Sequence, residues 1–114
     1  MRPNSNVMDL DDASARLEAL GNPTRLKIYR TLVRAGEEGL SVGRLQDKIG
    51  IASSTLSHHL KALVVVGLVT QTREATTLIC RTNYDLMRGL IGFLVEECCA
   101  EGTCVPGILP KQAA

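Results

Sequence analysis

Three of the four cysteines in this chain of 114 residues lie close together near its C-terminal end. Cys98 and Cys99 are adjacent, and Cys104 follows a segment that contains Gly102. Because a glycine allows the backbone to turn back, the three thiols can converge on one ion. Three thiolates with no nearby histidine suit a soft ion that accepts pyramidal sulfur coordination, and trivalent arsenic or antimony fits best. The pattern therefore predicts that Cys98, Cys99 and Cys104 bind one of these ions.

Two other chemistries stay open for these thiols. Zinc or cadmium would need a fourth ligand, which Glu96, Glu97 or Glu101 could supply. Vicinal thiols can also oxidise, so a redox switch is the stronger alternative. Catalysis is not expected, because a reactive thiolate needs a nearby cation or a helix N-terminus, whereas these thiols lie among glutamates at the predicted end of a helix. The chain is therefore not predicted to be an enzyme.

The fourth cysteine, Cys80, lies alone in a run of residues that is typical of a β-strand. Successive strand residues face opposite sides of a sheet, so a small apolar residue in such a run commonly faces inward. We therefore expect Cys80 to be a core residue. Its pairing with Cys98 or Cys99 around an organoarsenical is a minor alternative.

Short polar side chains cluster on one face of a predicted helix that ends at Val66. Leu56, Leu60 and Leu63 recur at helical spacing, so they should face the core together with a partly buried, hydrogen-bonded His59. The opposite face carries small polar residues near the N-terminus and a lysine further on. A helix that enters the major groove of DNA needs this arrangement to meet bases and then a phosphate. The candidate DNA-contacting residues on this helix are Ser53, Ser54, Thr55, Ser57, His58 and Lys61.

The remaining elements can be predicted from caps, breakers and periodicity. In chain order they are a helix capped by Asp11 or Asp12, a helix from Asn22-Pro23, a helix from Ser41 to Gly50, the polar-faced helix, strands over 68–72 and 77–82, and a last helix over 84–99. Arg73 lies at the predicted hairpin tip, where it could reach the minor groove or the DNA backbone. This order predicts a mainly α fold with a β-hairpin wing, the winged helix-turn-helix.

Composition and charge agree with a small globular DNA-binding protein. Apolar residues make up 45% of the chain, which argues against disorder. The formal net charge is only +1, but between Ser41 and Arg81 five cations oppose only Asp47 and Glu74, while both ends are acidic. A locally basic region can meet phosphates even when the total charge is near zero. No apolar run reaches membrane-spanning length and no signal-peptide pattern is seen, so a cytoplasmic location without membrane partners is the default expectation.

Three segments of the chain resemble the ArsR/SmtB family of bacterial metalloregulatory repressors. They are Leu20-Gly-Asn-Pro-Thr-Arg-Leu-Lys-Ile, Ser57-His-His-Leu-Lys-Ala-Leu and Gly67-Leu-Val, within a resemblance that covers roughly residues 13–95. The resemblance implies a homodimer whose terminal helices form the interface. It also implies a repressor that an inducer releases from double-stranded operator DNA.

The chain departs from two patterns of that family. Many arsenic-sensing members carry a Cys-x-Cys pair in the helix before the recognition helix, and here the helix after Ser41 has no cysteine. The segment from Tyr84 to Ala100 has no histidine, so the zinc-type site of other members is also missing. The chain is similar instead to a variant with three cysteines just beyond the terminal helix.

A division of the chain follows from these expectations. Residues 1–10 are predicted to be a flexible tail, residues 11–100 a winged domain with terminal dimerisation helices, and residues 101–114 a tail that contributes one inducer ligand. The last helix has an apolar stripe together with glycines, which favours close packing against a second copy. The stripe and its glycines are Leu86, Gly89, Leu90, Gly92, Phe93 and Leu94.

Overall fold

The computed structural model describes residues 8–103. In chain order the elements are α1 (Leu10–Leu20), α2 (Pro23–Ala35), a 3-10 turn (Gly36–Glu38), β1 (Leu40–Ser41), α3 (Val42–Ile49), α4 (Ser53–Val65), β2 (Val69–Glu74), β3 (Thr77–Thr82) and α5 (Tyr84–Val95). The strands form an antiparallel sheet in the order β1-β3-β2. This is the winged helix-turn-helix fold, as predicted. No helix among the described residues is long and apolar enough to cross a membrane.

Side-chain caps start four of the helices, including α5, where Asn83 accepts from the Leu86 backbone N–H. Asn22 accepts a hydrogen bond from the Arg25 backbone N–H at 3.0 Å, with Pro23 in the first helical position. Ser41 caps α3 in the same way. The cap of α1 is Asp9, which accepts from the Asp12 N–H at 2.8 Å, so the prediction of a cap at Asp11 or Asp12 was wrong. Helix α1 therefore begins at Leu10.

The last helix is shorter than predicted. α5 ends at Val95, whereas the sequence pattern favoured a helix to Cys99. Beyond Val95 the backbone makes tighter turns, with the Cys98 N–H bonded to the Val95 carbonyl at 2.9 Å. Cys99 has a φ of 63°, a left-handed conformation that cannot continue a right-handed helix. The cysteine pair is therefore presented on a turn that follows the helix.

The wing is a hairpin of two six-residue strands joined at Ala75-Thr76. Arg73 lies within β2 and pairs with Leu78 of β3, one residue pair before the turn. The prediction that it lies at the hairpin tip was therefore wrong. The backbone ladder extends the first strand to Glu74, beyond the predicted end at Thr72, whereas the second strand has its predicted bounds of Thr77–Thr82. Strand β1 was not predicted, because two residues carry no periodicity; Leu40 pairs with Cys80 there.

One leucine-rich core joins the helices to the sheet. Leu56 and Leu63 on α4 are fully buried and Leu60 is 3% exposed, which confirms the predicted inward face. Cys80 is also fully buried, and its Sγ accepts a hydrogen bond from Gln71 at 3.4 Å. Burial raises the pKa of the Cys80 thiol, although the bond from Gln71 opposes that rise. Cys80 is the core residue that the strand pattern predicted.

An apolar groove of about 470 Å³ lies on the side formed by α1, α2 and α5, and we call it the terminal-helix groove. Its apolar walls include Leu17, Leu20, Leu26, Val33, Leu90, Ile91 and Leu94. Several of these side chains remain substantially exposed, with Leu94 at 57%. A single copy of the chain therefore leaves much of this leucine surface open to water.

Gly39 provides a test of the packing between β1 and the wing. Its φ is +70°, and a Cβ there would lie 2.4 Å from the Cys80 carbonyl oxygen. We expect Gly39→Ala to lower the free energy of unfolding by about 2–3 kcal/mol, from backbone strain and the clash. The matched control is Gly43→Ala in α3, where a Cβ meets nothing within 4 Å. Urea unfolding that gave both variants the same stability would contradict this account.

Candidate nucleic-acid interface and thiol cluster

The turn between α3 and α4 fixes the angle between these two helices. Gly50 ends α3 with a left-handed φ of 79°, and its N–H donates to the Gln46 carbonyl at 2.7 Å. The Gln46 side chain then donates from Nε2 to the Ile51 carbonyl at 3.1 Å. Gln46 was not singled out from the sequence, because a lone glutamine on a helix carries no distinctive pattern. It closes the turn that presents α4.

The outer face of α4 is polar and open to solvent. All six residues predicted to contact DNA on this helix are exposed: Ser53, Ser54, Thr55, Ser57, His58 and Lys61. Ala52 precedes the helix and makes no side-chain capping bond. The first backbone N–H groups of α4 are therefore left for another acceptor, and a phosphate is the acceptor that a helix N-terminus favours.

The two arginines of the wing differ in their surroundings. Arg73 is exposed on β2 and makes no ion pair with another described residue. Arg81 donates to Thr72 Oγ1 at 2.7 Å, to Glu74 Oε2 at 3.0 Å and to the Glu37 carbonyl at 2.9 Å. Arg81 thus ties the hairpin to the 3-10 turn. Of the two, Arg73 is the wing cation that is not engaged by other described residues, and its contact with DNA stays a prediction.

A second groove, of about 520 Å³, runs beside α4 where α1 ends and α2 begins. Arg25, His58, Lys61 and Val65 are among its lining residues. The Arg25 Nε donates to the Ala19 carbonyl at 2.8 Å, which holds the guanidinium against the end of α1. Arg25 was not predicted as a site residue, although it lies at the start of a helix and close in sequence to the cap. The groove makes this flank of α4 cationic.

His59 differs in one respect from the sequence expectation. It is half-buried, as predicted, and its ring lies edge-on to that of His58 at 5.5 Å. However, its Nδ1 atom is buried and has no hydrogen-bond partner among the described residues. Burial lowers the pKa of His59, and the charges of Arg25 and His58 lower it further. The side chain therefore favours the neutral form.

Comparisons with known proteins agree with this geometry. A family model for a helix-turn-helix domain matches residues 20–72. The nodulation protein NolR of Rhizobium meliloti is 36% identical over 88 residues, which are 77% of this chain and 70% of NolR. A biofilm growth-associated repressor of Agrobacterium fabrum is 38% identical over 84 residues, covering 74% of this chain and 69% of that protein.

A solved structure is similar over most of the chain. It is the homodimeric winged helix-turn-helix DNA-binding domain of a possible ArsR-family transcriptional regulator from Mycobacterium bovis. The two share 30% identity at a TM-score of 0.63, over 77% of this chain and 82% of that one. This chain belongs to the ArsR/SmtB-type family of winged helix-turn-helix transcriptional regulators.

Membership of this family settles the broad class. The chain is a transcriptional regulator with a DNA-binding domain, and the comparisons point away from an enzyme. Homodimeric neighbours of the same fold support dimerisation of this ArsR-type regulator. The family match runs from Leu20 to Thr72 and includes α2, α3 and α4. Of these, α3 and α4 are joined by the tight turn at Gly50, so they form the helix-turn-helix.

The structure describes two of the three clustered cysteines of this ArsR-type regulator. The Sγ atoms of Cys98 and Cys99 lie 3.4 Å apart on the turn after α5. Cys104, the predicted third ligand, lies outside the described residues. Among residues 8–103 no group of three or more histidine, cysteine or carboxylate side chains is arranged to hold a metal ion. The three-cysteine site therefore stays a prediction, and so does the role of the glutamates beside it.

The surroundings of His59 predict a pH-dependent stability. Because its folded-state pKa lies below the ordinary 6.5, the unfolded chain binds a proton more readily than the folded chain. The stabilising contribution is therefore present above about pH 6.5 and is lost as the pH falls further. We expect His59→Gln to lose less thermal stability than the parent between about pH 7.5 and about pH 5.5. Equal losses in thermal melts of the two proteins would exclude His59 as the cause.

Proposed function

We propose that this ArsR-type regulator is a repressor that binds double-stranded operator DNA as a homodimer and leaves it when trivalent arsenic or antimony binds. The observation that carries the DNA-binding part is the exposed polar face of α4, which three buried leucines hold in place. Small hydroxyl side chains near the start of such a helix can approach base edges, and Lys61 can meet a phosphate. Arg73 on the wing extends the contact to the adjoining backbone.

The terminal-helix groove supports the dimer. A second copy would cover the exposed side chains of Leu17, Ile91 and Leu94, which one copy leaves in water. Within a single chain, a Cβ at Gly92 would meet nothing within 4 Å, so packing of the described residues does not require a glycine there. Close approach of a partner helix explains why it is tolerated in α5. A two-fold dimer of this kind matches a palindrome with half-sites about one helical turn apart.

The cysteine pair supports the inducer. Metal–thiolate bonds are about 2.3 Å long, so two sulfurs 3.4 Å apart can contact the same ion. Cys104 would supply the third thiolate, and three sulfurs suit a soft ion with pyramidal coordination. Cys80 is not available for this role, because it is buried in the core and burial raises the pKa of its thiol.

Position in the fold supports a link between the ion and DNA. The cysteines follow directly on α5, one of the helices that line the terminal-helix groove. Drawing Cys104 towards Cys98 and Cys99 would fold the tail against the end of α5 and alter its packing on a partner copy. Both recognition helices must meet their half-sites together, so a small tilt weakens binding. A coupling free energy of about 1–3 kcal/mol gives roughly a 5- to 150-fold change in affinity.

A thiol redox switch is the second candidate. Vicinal thiols can oxidise, and the Sγ atoms of Cys98 and Cys99 lie 3.4 Å apart, which supports oxidation as a signal at the same place. A sulfur held in a disulfide cannot act as a thiolate ligand, so oxidation and arsenite binding would exclude each other. Zinc or cadmium is a weaker alternative, because a tetrahedral site would need a fourth ligand and Glu96, Glu97 and Glu101 are exposed.

The DNA-binding face can be tested through its salt dependence. Lys61→Ala and Arg73→Ala should each weaken binding on every duplex sequence. Each substitution removes one phosphate-binding cation from each copy, so it should reduce the slope of log affinity against log salt by about one unit per copy, or about two units for the dimer. Arg88→Ala is the matched control, because Arg88 is an exposed cation on α5 that pairs with Asp85. Fluorescence anisotropy that gave the parent slope for Lys61→Ala and Arg73→Ala would rule out the proposed face.

The inducer can be tested by release from operator DNA. Cys98→Ser, Cys99→Ser and Cys104→Ser should each bind the operator normally but resist release by arsenite, because each removes one thiolate. The control Cys80→Ser should respond as the parent does, since its hydroxyl can still accept from Gln71. Gel shifts are titrated separately with arsenite, antimonite, zinc, cadmium and peroxide. If Cys104→Ser is released as readily as the parent, the three-thiolate site is wrong; release by peroxide alone would favour the redox switch.

A further inference from the structure

Operator binding by this fold requires more cations than α4 and the wing provide. A DNA-binding protein commonly neutralises about 6–10 phosphates. Lys61 and Arg73 are the cations predicted to face DNA, and a dimer carries two copies of each. Several other cations are held within the structure: Arg16 bonds to the Val66 carbonyl, Arg25 to the Ala19 carbonyl and Arg81 to Glu74. Further phosphates can be neutralised only by cations that are not held in this way.

Such cations converge on a groove on the α2–α3 side of the domain, which we call the α2–α3 groove. It has a volume of about 620 Å³ and lies between α2, the 3-10 turn, β1 and α3. Arg34, Arg44 and Lys48 line it, together with the single carboxylate of Glu38. All four side chains are exposed. None of the three cations makes an ion pair or a side-chain hydrogen bond with another described residue.

We propose that the α2–α3 groove binds the phosphodiester backbone of operator DNA that lies outside the segment read by α4. This rests on the proposed function, since it assumes that the dimer binds duplex DNA. α3 is the first helix of the helix-turn-helix, and in this motif the first helix crosses the DNA backbone. Arg44 and Lys48 are four residues apart, so they share one flank of α3. Arg34 faces them from α2 across the groove.

The openness and charge of the groove favour a polyanion over a small phosphate compound. Its three cations and one carboxylate are all exposed to water, where a single ion pair contributes little. A DNA backbone gains more, because each neutralised phosphate releases condensed counterions. Glu38 repels phosphates from the same groove, so its removal should strengthen binding. The comparison with a cation outside the groove, Lys27, distinguishes this site from a general effect of net charge.

The test measures anisotropy of the dimer on two labelled duplexes, one limited to the palindrome and one extended on both sides. Arg34→Gln, Arg44→Gln and Lys48→Gln should each weaken binding to the extended duplex. Each neutralised phosphate contributes about 0.9 to the slope of log affinity against log salt. At about 0.15 M salt its loss lowers the affinity roughly fivefold, or about 30-fold for the two copies in a dimer. The short duplex should show a smaller decrease in affinity. Glu38→Gln should bind the extended duplex more tightly than the parent.

The control is Lys27→Gln, which removes an exposed cation from α2 that does not line the groove. Its affinity should change by less than that of any groove variant. The proposal is overturned if Lys27→Gln lowers the affinity for the extended duplex as much as the groove variants do. It is also overturned if all three groove variants keep the parent's slope of log affinity against log salt. Titration with tripolyphosphate tests whether the groove binds a small phosphate compound instead of DNA. The groove is a small-anion site if tripolyphosphate binds the parent at micromolar concentration, Arg44→Gln abolishes that binding, and the groove variants keep the parent's slope of log DNA affinity against log salt.

Failure of this inference can be told apart from failure of the proposed function. If the parent binds the operator and Lys61→Ala weakens that binding, but the groove variants do not, only the proposal about the α2–α3 groove is refuted. If the parent binds no duplex at all, the operator proposal fails, and the groove proposal fails with it. Circular dichroism and thermal melts of each variant confirm that these surface substitutions leave the fold intact.

Discussion

Burial of one face of α4 is the constraint on which the rest of the structure depends. Leu56, Leu60 and Leu63 are almost completely removed from water, and each such side chain contributes about 1.5–3 kcal/mol. Because they lie on one stripe of the helix, their burial fixes both the position of α4 and its rotation about its own axis. The polar residues on the opposite side must then face solvent. The recognition surface is thus a consequence of how the core is packed.

The wing is held by backbone contacts more than by apolar side chains. Gly39 passes so close to the Cys80 carbonyl that no side chain fits there. Strand β1 pairs with the strand that contains Cys80, and Arg81 joins the hairpin to the 3-10 turn through its hydrogen bond to the Glu37 carbonyl. These contacts connect the first helix of the helix-turn-helix with the hairpin. The geometry of DNA binding therefore involves both ends of the motif as one unit.

The cations of this regulator fall into two groups that the net charge conceals. Arg16, Arg25 and Arg81 donate to backbone or side-chain acceptors and hold elements together. The second group, which includes Lys61 and Arg73, lies on the surface without ion pairs among the described residues. A formal charge of +1 would predict weak affinity for DNA. Spatial separation of the two groups allows a nearly neutral chain to present cationic surfaces.

The sequence by itself determined the order of the elements and the inward face of α4, because caps, glycine stops and leucine spacing act locally. Asn22, Ser41 and Gly50 each have the predicted role at a helix end. The exposed face of α4 followed from the same periodicity. The position of Cys98 and Cys99 near the end of the last helix was also predictable.

The tertiary structure decided what depends on partners distant in sequence. The pairing of β1 with β3, the bonds of Arg81 and the convergence of α2 and α3 cations all join residues that the chain separates widely. The unpartnered Nδ1 of His59 is likewise a result of packing between helices. The end of α5 at Val95 and the left-handed backbone of Cys99 beyond it are also features that residue type does not reveal. Local propensity acts over a few residues, whereas these contacts form only after the core has brought the elements together.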